Sequence, residues 1–400
     1  MNLFYKMYAR IFQGCFKLAI PLLPYRNPKL LDDTKKIAEV IKSNKKNKPL
    51  IITDKFLYNS GLLNNLLDSL RANNMPYEIY EDVLPNPTSD IVLNALELFK
   101  KSNCDSLIAF GGGSVMDTAK AVGALVARPK KTLAKLGGIL KVRKKIPLLI
   151  AVPTTCGTGS ETTLASVITD SKTRHKYAIN DFPLIPSYAV LDYKLILNLP
   201  SSLISTTGLD ALTHAVEAFI GRSTTKDTRR DALEAIKLIF DNLIEATTHD
   251  EKALNNMLYA SHLAGRAFSK SYVGYVHAIA HSLGGKYNIA HGYANAVILP
   301  HVLKEYGNKI NKKLGKIIDY INPGNKLSLE QKANLFMDML NDLESKLNID
   351  KYITNINEAD IDEMAKYACK EANPLYPVPV LWDFKKMKSM YYKIKGDMND

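Results

Sequence analysis

The sequence predicts a two-part fold: an α/β half built on a parallel sheet, followed by an all-α half. Three observations carry that prediction. Apolar, strand-like runs alternate with helix-period stretches up to about residue 200, the pattern of a parallel sheet covered on both faces. The strand-like runs stop after NLPSS at 198–202, and helix periodicity continues from Leu203 onward. At 400 residues, 46% hydrophobic and 23% charged, the chain is long enough for two ordinary globular domains and carries no disorder-like bias. We therefore expect one domain over 1–200 and a second over 201–400.

The chain opens on NLFYKMYARIFQGCFKLAIPLLPY. Lys6, Arg10 and Lys17 interrupt any span long enough to cross a bilayer, and Pro21 and Pro24 close the segment. We expect a packing helix that extends the first domain, with contact to an anionic lipid surface as the alternative. The strand KPLIITDK then ends at Asp54, a carboxylate that either accepts hydrogen bonds from a ribose diol or caps a helix starting near Lys55. After the strand PYEIYEDV, the turn VLPNPTSD holds Asn86 between two prolines, a rigid corner that shapes a ligand cleft or starts the helix from about Ser89.

Residues 106–127 read SLIAFGGGSVMDTAKAVGALVA: a strand, a turn with Gly112, Gly113 and Ser114, and a helix with Asp117 and Lys120 in its early turns. Glycines let a backbone approach a pyrophosphate, and the unpaired N–H groups of the following helix attract the anion. Such a turn also makes ordinary strand-to-helix corners, and this one is not GxGxxG. A further strand, PLLIAVPTT, opens into CGTGSETT, which places Thr154, Thr155 and Thr158 in a hydroxyl-rich loop at a strand's carboxyl end, the edge where open α/β sheets bind ligands. The strand YAVLD closes this half.

The helical half carries the densest chemistry. GLDALTHAVEAF places Asp210 and His214 four residues apart on one helical face, and YVHAIAHSLGGKYNIAHGYAN places His277 and His281 one turn apart on another helix. His291 follows Gly284 and Gly285, where a turn can bring it back. Asp210, His214, His277 and His291 suit one divalent metal with three nitrogens and one oxygen, leaving a coordination position for substrate. HAIAH is not a metalloprotease motif, because Ala278 stands where the general-base glutamate belongs. For His175, His249, His262 and His301 we expect surface or core roles. A cleft between the two halves is the expected active site.

The formal charge of +13 and the acid-free run from Arg128 to Lys145 suggest polyanions, but no aromatic-interleaved motif accompanies them. No specific nucleic-acid partner is expected, and a positive field also suits an anionic dinucleotide. Cys15, Cys104, Cys156 and Cys369 form no CxxC pair, which fits a reduced, cytoplasmic setting.

Together, GGGSVMDTAKAVGA, PTTCGTGSETT, GLDALTHAVEAF and HAIAHSLGGKYNIAHGYANAVILPH resemble the iron-containing (group III) alcohol dehydrogenases, and most closely their butanol-dehydrogenase-like branch. The resemblance implies a dehydroquinate synthase-like fold, with an N-terminal dinucleotide-binding domain and a C-terminal helical metal domain. It implies NAD, with NADP as the alternative, and Fe2+, with Zn2+ as the alternative, acting on a small or medium primary alcohol or aldehyde. Cofactor contacts would fall on Asp54, Asn86, Gly112, Gly113, Ser114, Thr154, Thr155, Thr158 and Lys176, with Asp117 beside them. His281 would lie near nicotinamide and substrate without ligating the metal, and we expect it to relay the hydroxyl proton. A homodimer fits the resemblance. Glycerol-dehydrogenase-like or dehydroquinate-synthase-like metal enzymes are the alternative activities on this fold.

Overall fold

The computed structural model describes residues 3–173 and 175–397. The chain divides into two compact units, one of Pro24–Asn198 and one of Met1–Leu23 with Leu199–Asp400. Helix α1 (Leu3–Ala19) thus belongs to the helical unit, whereas the sequence reading attached it to the α/β domain. Its inward side chains explain the difference. Arg10 donates to the carbonyls of Val378 and Pro379 at 2.7 and 2.9 Å, and Gln13 donates to that of Tyr376 at 2.7 Å.

The α/β unit is built on six parallel strands: β1 (Lys29–Leu31), β2 (Pro49–Ile52), β3 (Glu78–Tyr80), β4 (Ser106–Gly111), β6 (Leu148–Pro153) and β9 (Tyr188–Val190). They lie in the order β1-β9-β6-β4-β2-β3. A smaller sheet joins β5 (Gly138–Ile139), β7 (Ala165–Thr169) and β8 (Lys176–Asn180), with β7 and β8 antiparallel. Every residue of β2, β4 and β6 is buried, as expected of continuous apolar runs covered on both faces. Their side chains alternate between two cores. Leu50, Leu107 and Ala151 pack with Val92 and Phe99 of α5 (Ser89–Lys101) and Val122 of α6 (Gly113–Ala127). Ile51, Ile108 and Val152 pack with Ile37 and Ile41 of α2 (Ile37–Ser43) and Leu66 of α4 (Asn64–Ala72). The short helices α3 (Lys55–Asn59) and α7 (Leu133–Leu136) complete the unit. Burying each large apolar side chain stabilises by about 1.5–3 kcal/mol, which makes the sheet centre a rigid platform for the loops at its edge.

The chain runs from β2 outward to β3, then returns to β4 on the other side of β2. Strand order therefore reverses between β2 and β4. The carboxyl ends of these two strands carry Asp54 and the glycine turn, at the switch point where α/β sheets bind ligands.

The helical unit adds α8 (Ser201–Ile220), α9 (Lys226–Ala246), α10 (Glu251–Ser271), α11 (Tyr275–Tyr287), α12 (His291–Tyr306), α13 (Asn311–Ile321), α14 (Leu329–Lys346), α15 (Glu358–Ala372) and α16 (Phe384–Lys395). Helix α8 packs against α9, α10 and α12, and is buried on all sides from Gly208 to Ile220. That is the mark of a central helix. An ionisable residue there must find partners within the fold. No described helix is long and apolar enough to cross a membrane.

Candidate metal centre and nucleotide loops

The buried stretch of α8 carries Asp210 and His214 one turn apart, and α11 presents His277 from its first turn. Asn288 ends α11 in a left-handed conformation, so the chain reverses within three residues and His291 begins α12. Gly292 permits this approach. A Cβ at that position would lie 2.5 Å from the carbonyl oxygen of Thr206 on α8.

The four predicted groups converge. Asp210, His214, His277 and His291 each offer a ligand atom, all within 4.8 Å of one another. Asp210 Oδ1 lies 3.6 Å from His291 Nε2 and 3.9 Å from His277 Nε2, and Asp210 Oδ2 lies 3.9 Å from His214 Nδ1. Bonds of about 2.0–2.2 Å to a tetrahedral ion put neighbouring donors roughly 3.5 Å apart, so the quartet fits one ion. A second observation agrees. His277 Nε2 is buried without a hydrogen-bond partner, a costly arrangement unless the lone pair meets a cation. Burial, reinforced by His214, His291 and His281, holds His277 well below the usual imidazole range, in the neutral form that ligates.

His281 lies outside the quartet. Its ring stacks on that of His291 with centroids 5.1 Å apart and lies 6.1 Å from that of His277. Of the remaining histidines, His262 and His301 are buried and His175 and His249 are exposed. His301 Nε2 pairs with the Lys351 carbonyl.

Three supporting residues went unassigned in the sequence reading. Glu217 Oε2 accepts from His277 Nδ1 and Gly274 N, both at 2.7 Å, and Oε1 accepts from Val276 N at 2.9 Å. Burial pushes its carboxyl up to about 7, while the three donors pull the other way. With Nδ1 committed to Glu217, the other nitrogen of His277 is left to a metal. Glu217 stands three residues after His214, a helical spacing that could have revealed it. Asn295, four residues after His291, donates to Asp210 Oδ1 at 2.7 Å. Glu371 of α15 meets His281 Nδ1 at 2.6 Å and accepts from Tyr376 Oη at 2.6 Å.

In the α/β unit, Gly112 caps α6 and Gly113 and Ser114 begin it, so the unpaired N–H groups of a 15-residue helix open at the glycine turn. The second loop lies against this turn. Thr155 and Thr158 approach to 3.7 and 3.3 Å of where side chains at Gly112 and Gly113 would begin, and Thr154 is buried. Lys120 fixes this loop to α6. It is fully buried and donates to Ser160 O, Ser160 Oγ, Thr163 Oγ1 and Ala165 O at 2.7–3.1 Å.

Lys176 Nζ donates to Asn86 Oδ1 at 3.0 Å, joining two residues 90 positions apart. Desolvation raises the Asp117 carboxyl to about 6, opposed by Lys120, the Val167 N–H and Lys176. Asp54 takes the capping role weighed for it: its Oδ1 accepts from Leu57 N at 2.9 Å. Cys156 is buried.

Residues 31–193 match the family described as iron-containing alcohol dehydrogenase, and residues 204–394 match the C-terminal part of the Fe-containing alcohol dehydrogenase family. The 1,3-propanediol dehydrogenase of Citrobacter freundii is 38% identical over 333 residues, covering 82% of this chain and 86% of its own. A crystal structure of a 1,3-propanediol oxidoreductase superposes with TM-score 0.88 at 32% identity, covering 92% of this chain and 99% of the other. The sulfoacetaldehyde reductase of Bifidobacterium kashiwanohense, solved in complex with NAD+, superposes with TM-score 0.82 at 26% identity, covering 93% and 98%.

Proposed function

From the premise that this chain belongs to the iron-containing alcohol dehydrogenase family, as an NAD-dependent oxidoreductase with an Asp/His metal site, we propose that it interconverts small or medium primary alcohols and their aldehydes. Butanol is the first substrate to test. The observation that carries the reading is the buried quartet of Asp210, His214, His277 and His291 with its donor atoms turned toward one another. Bound to these residues, the metal supplies Lewis-acid polarisation of the substrate oxygen, and NAD supplies the hydride acceptor.

The chain's own residues do the rest. Glu217 holds His277 in the tautomer that leaves Nε2 free of a proton, and Asn295 orients Asp210 Oδ1. We assign His281 the substrate's hydroxyl proton. Its imidazole is part-exposed, giving a route to solvent, and the Glu371 carboxylate stabilises the ring once it is protonated. Gly112, Gly113, Ser114 and the N-terminus of α6 are proposed to hold the pyrophosphate, with Thr154, Thr155 and Thr158 packed beside it and Asp117, Asn86 and Lys176 as further contacts. Asp54, at the switch point, is proposed for the ribose diol, which favours NAD over NADP.

We further propose a cytoplasmic homodimer. The resemblance supports the dimer, and four cysteines without a disulfide support a reducing compartment.

The test is a panel of alcohols and aldehydes with NAD(H) and NADP(H), run anaerobically with ferrous iron or zinc and followed at 340 nm. The expected result is turnover of short primary alcohols that chelation abolishes and metal restores. A metal-loaded protein that turns over no alcohol or aldehyde would sink the proposal.

A further inference from the structure

We propose that α1 is a membrane-docking helix, whose outward apolar face lies in the headgroup region of an anionic bilayer. An ordinary surface helix turns its large apolar side chains inward, whereas this one buries only Ala9 and Gln13 and leaves most of its large apolar side chains outside. Here Gln13 is buried and Arg10 is half-buried, and between them they donate to the carbonyls of residues 374, 376, 378 and 379. The large apolar side chains point outward: Leu3 and Leu18 are 78% exposed and Phe4 is 77% exposed, with Met7, Tyr8 and Ile11 also exposed. At 3.6 residues per turn, Phe4, Met7, Ile11 and Leu18 share one face, which runs most of the helix's length of about 25 Å. Isolated surface leucines need no explanation, but a continuous face of this kind marks an interaction site.

Charge decides what covers it. Helix α1 contains no acidic residue, and its Lys6 and Lys17 are exposed. Burial first, and then Arg229, Lys17 and Lys316, lower the Lys313 ammonium, so basic side chains gather near the C-terminal end of the helix. The whole chain carries +13. At this face a second copy would set Lys6 and Lys17 against their counterparts, whereas anionic lipid headgroups complement the lysines while the acyl boundary takes the apolar face. Exposed Phe4 and Tyr8 suit the bilayer interface. A helix of 17 residues with three basic side chains is too short and too charged to span, so it lies in the interfacial plane.

The test uses the full-length protein, sedimented with phosphatidylcholine vesicles prepared with and without phosphatidylglycerol, at low and high salt. The expected result is binding to phosphatidylglycerol vesicles that weakens with salt. The double variant Ile11→Asp/Leu18→Asp should lower partition roughly tenfold or more, because it removes apolar contact and adds negative charge. Both positions are exposed, so its thermal melting and soluble dehydrogenase activity should match the wild type. Wild-type protein that stays in solution with phosphatidylglycerol vesicles at low salt overturns the proposal, as does equal binding by the variant. A lipid-free dimer in light scattering that the variant dissociates would assign the face to a second copy and also overturn it.

Discussion

Replacing Glu217 with glutamine changes one atom and tests whether this carboxylate sets the metal-binding form of His277. Oε2 accepts from both Gly274 N and His277 Nδ1 at 2.7 Å, and Oε1 accepts from Val276 N at 2.9 Å. A glutamine has one acceptor and one donor end. With its oxygen at the Oε2 position, the NH2 group meets the Val276 N–H, donor against donor, at a cost of about 1–3 kcal/mol for a buried unsatisfied group. With the amide reversed, His277 Nδ1 must become an acceptor. The ring proton then moves to Nε2, the atom 3.9 Å from Asp210 Oδ1, and the ligand is lost. The first arrangement keeps the His277 tautomer but removes the charge that raises its basicity, and the second loses the ligand, so either should weaken metal binding about 10–100-fold, or roughly 1.4–2.8 kcal/mol. Gly274→Ala approaches the same carboxylate from outside: its Cβ would lie 2.5 Å from Oε1 and 3.0 Å from Cδ, so Glu217 must retreat. Metal affinity measured by chelator competition under anaerobic conditions, beside thermal unfolding of the apoprotein, separates ligand loss from general destabilisation. Wild-type metal affinity in both variants would refute the reasoning.

Other outcomes follow from the same geometry. His277→Ala should lose metal and turnover together, whereas His281→Ala should keep its metal by mass spectrometry and lose turnover by about 10²–10⁴-fold, the usual worth of a general acid–base group. Lys120→Met removes the donor for four acceptors and should destabilise the protein by roughly 2–4 kcal/mol in denaturant unfolding, with weaker NAD binding by calorimetry. Glu344 is raised to about 8 by burial, and its Oε1 has no hydrogen-bond partner. Because its folded pKa exceeds the unfolded value of 4.5, its contribution is full below about pH 4.5 and is lost as pH rises toward 8. Glu344→Gln should therefore gain on the wild type by about 2–3 kcal/mol between pH 5 and pH 7; parallel stability curves would contradict this.

What the sequence disclosed depended on how local each interaction was. Strands β2, β4 and β6 were legible because burial on both faces demands continuous apolar runs. Strand β1 has three residues, two of them exposed, and its partner β9 is far along the chain, so no local pattern announced it. The antiparallel β7–β8 pair was missed although β7 alternates in burial. The metal quartet was legible because helical spacing and a short turn supply it. Glu371 lies 90 residues from His281, and only the packing of α15 on α11 joins them. The placement of α1 failed for the same reason: the carbonyls that hold Arg10 and Gln13 are more than 360 residues away.

His277 and His281 show why residue type and spacing alone do not assign roles. They occupy one helix, one turn apart, and each has Nδ1 held by a carboxylate. Their surroundings separate them. The His277 side chain is 2% exposed, its neutral form is favoured by burial and by three other imidazoles, and Asp210 Oδ1 lies within 3.9 Å of Nε2. The His281 side chain is 38% exposed, and Glu371 is held low mainly by the His281 charge and hydrogen bond acting against desolvation. The first environment penalises a proton on the ring, and the second tolerates one. A buried imidazole deprived of its proton binds metal, whereas a solvent-connected imidazole backed by an ionised carboxylate can take a proton and pass it on. Exchanging those surroundings, by drying the His281 pocket or opening that of His277 to water, should therefore degrade both roles even with every histidine in place.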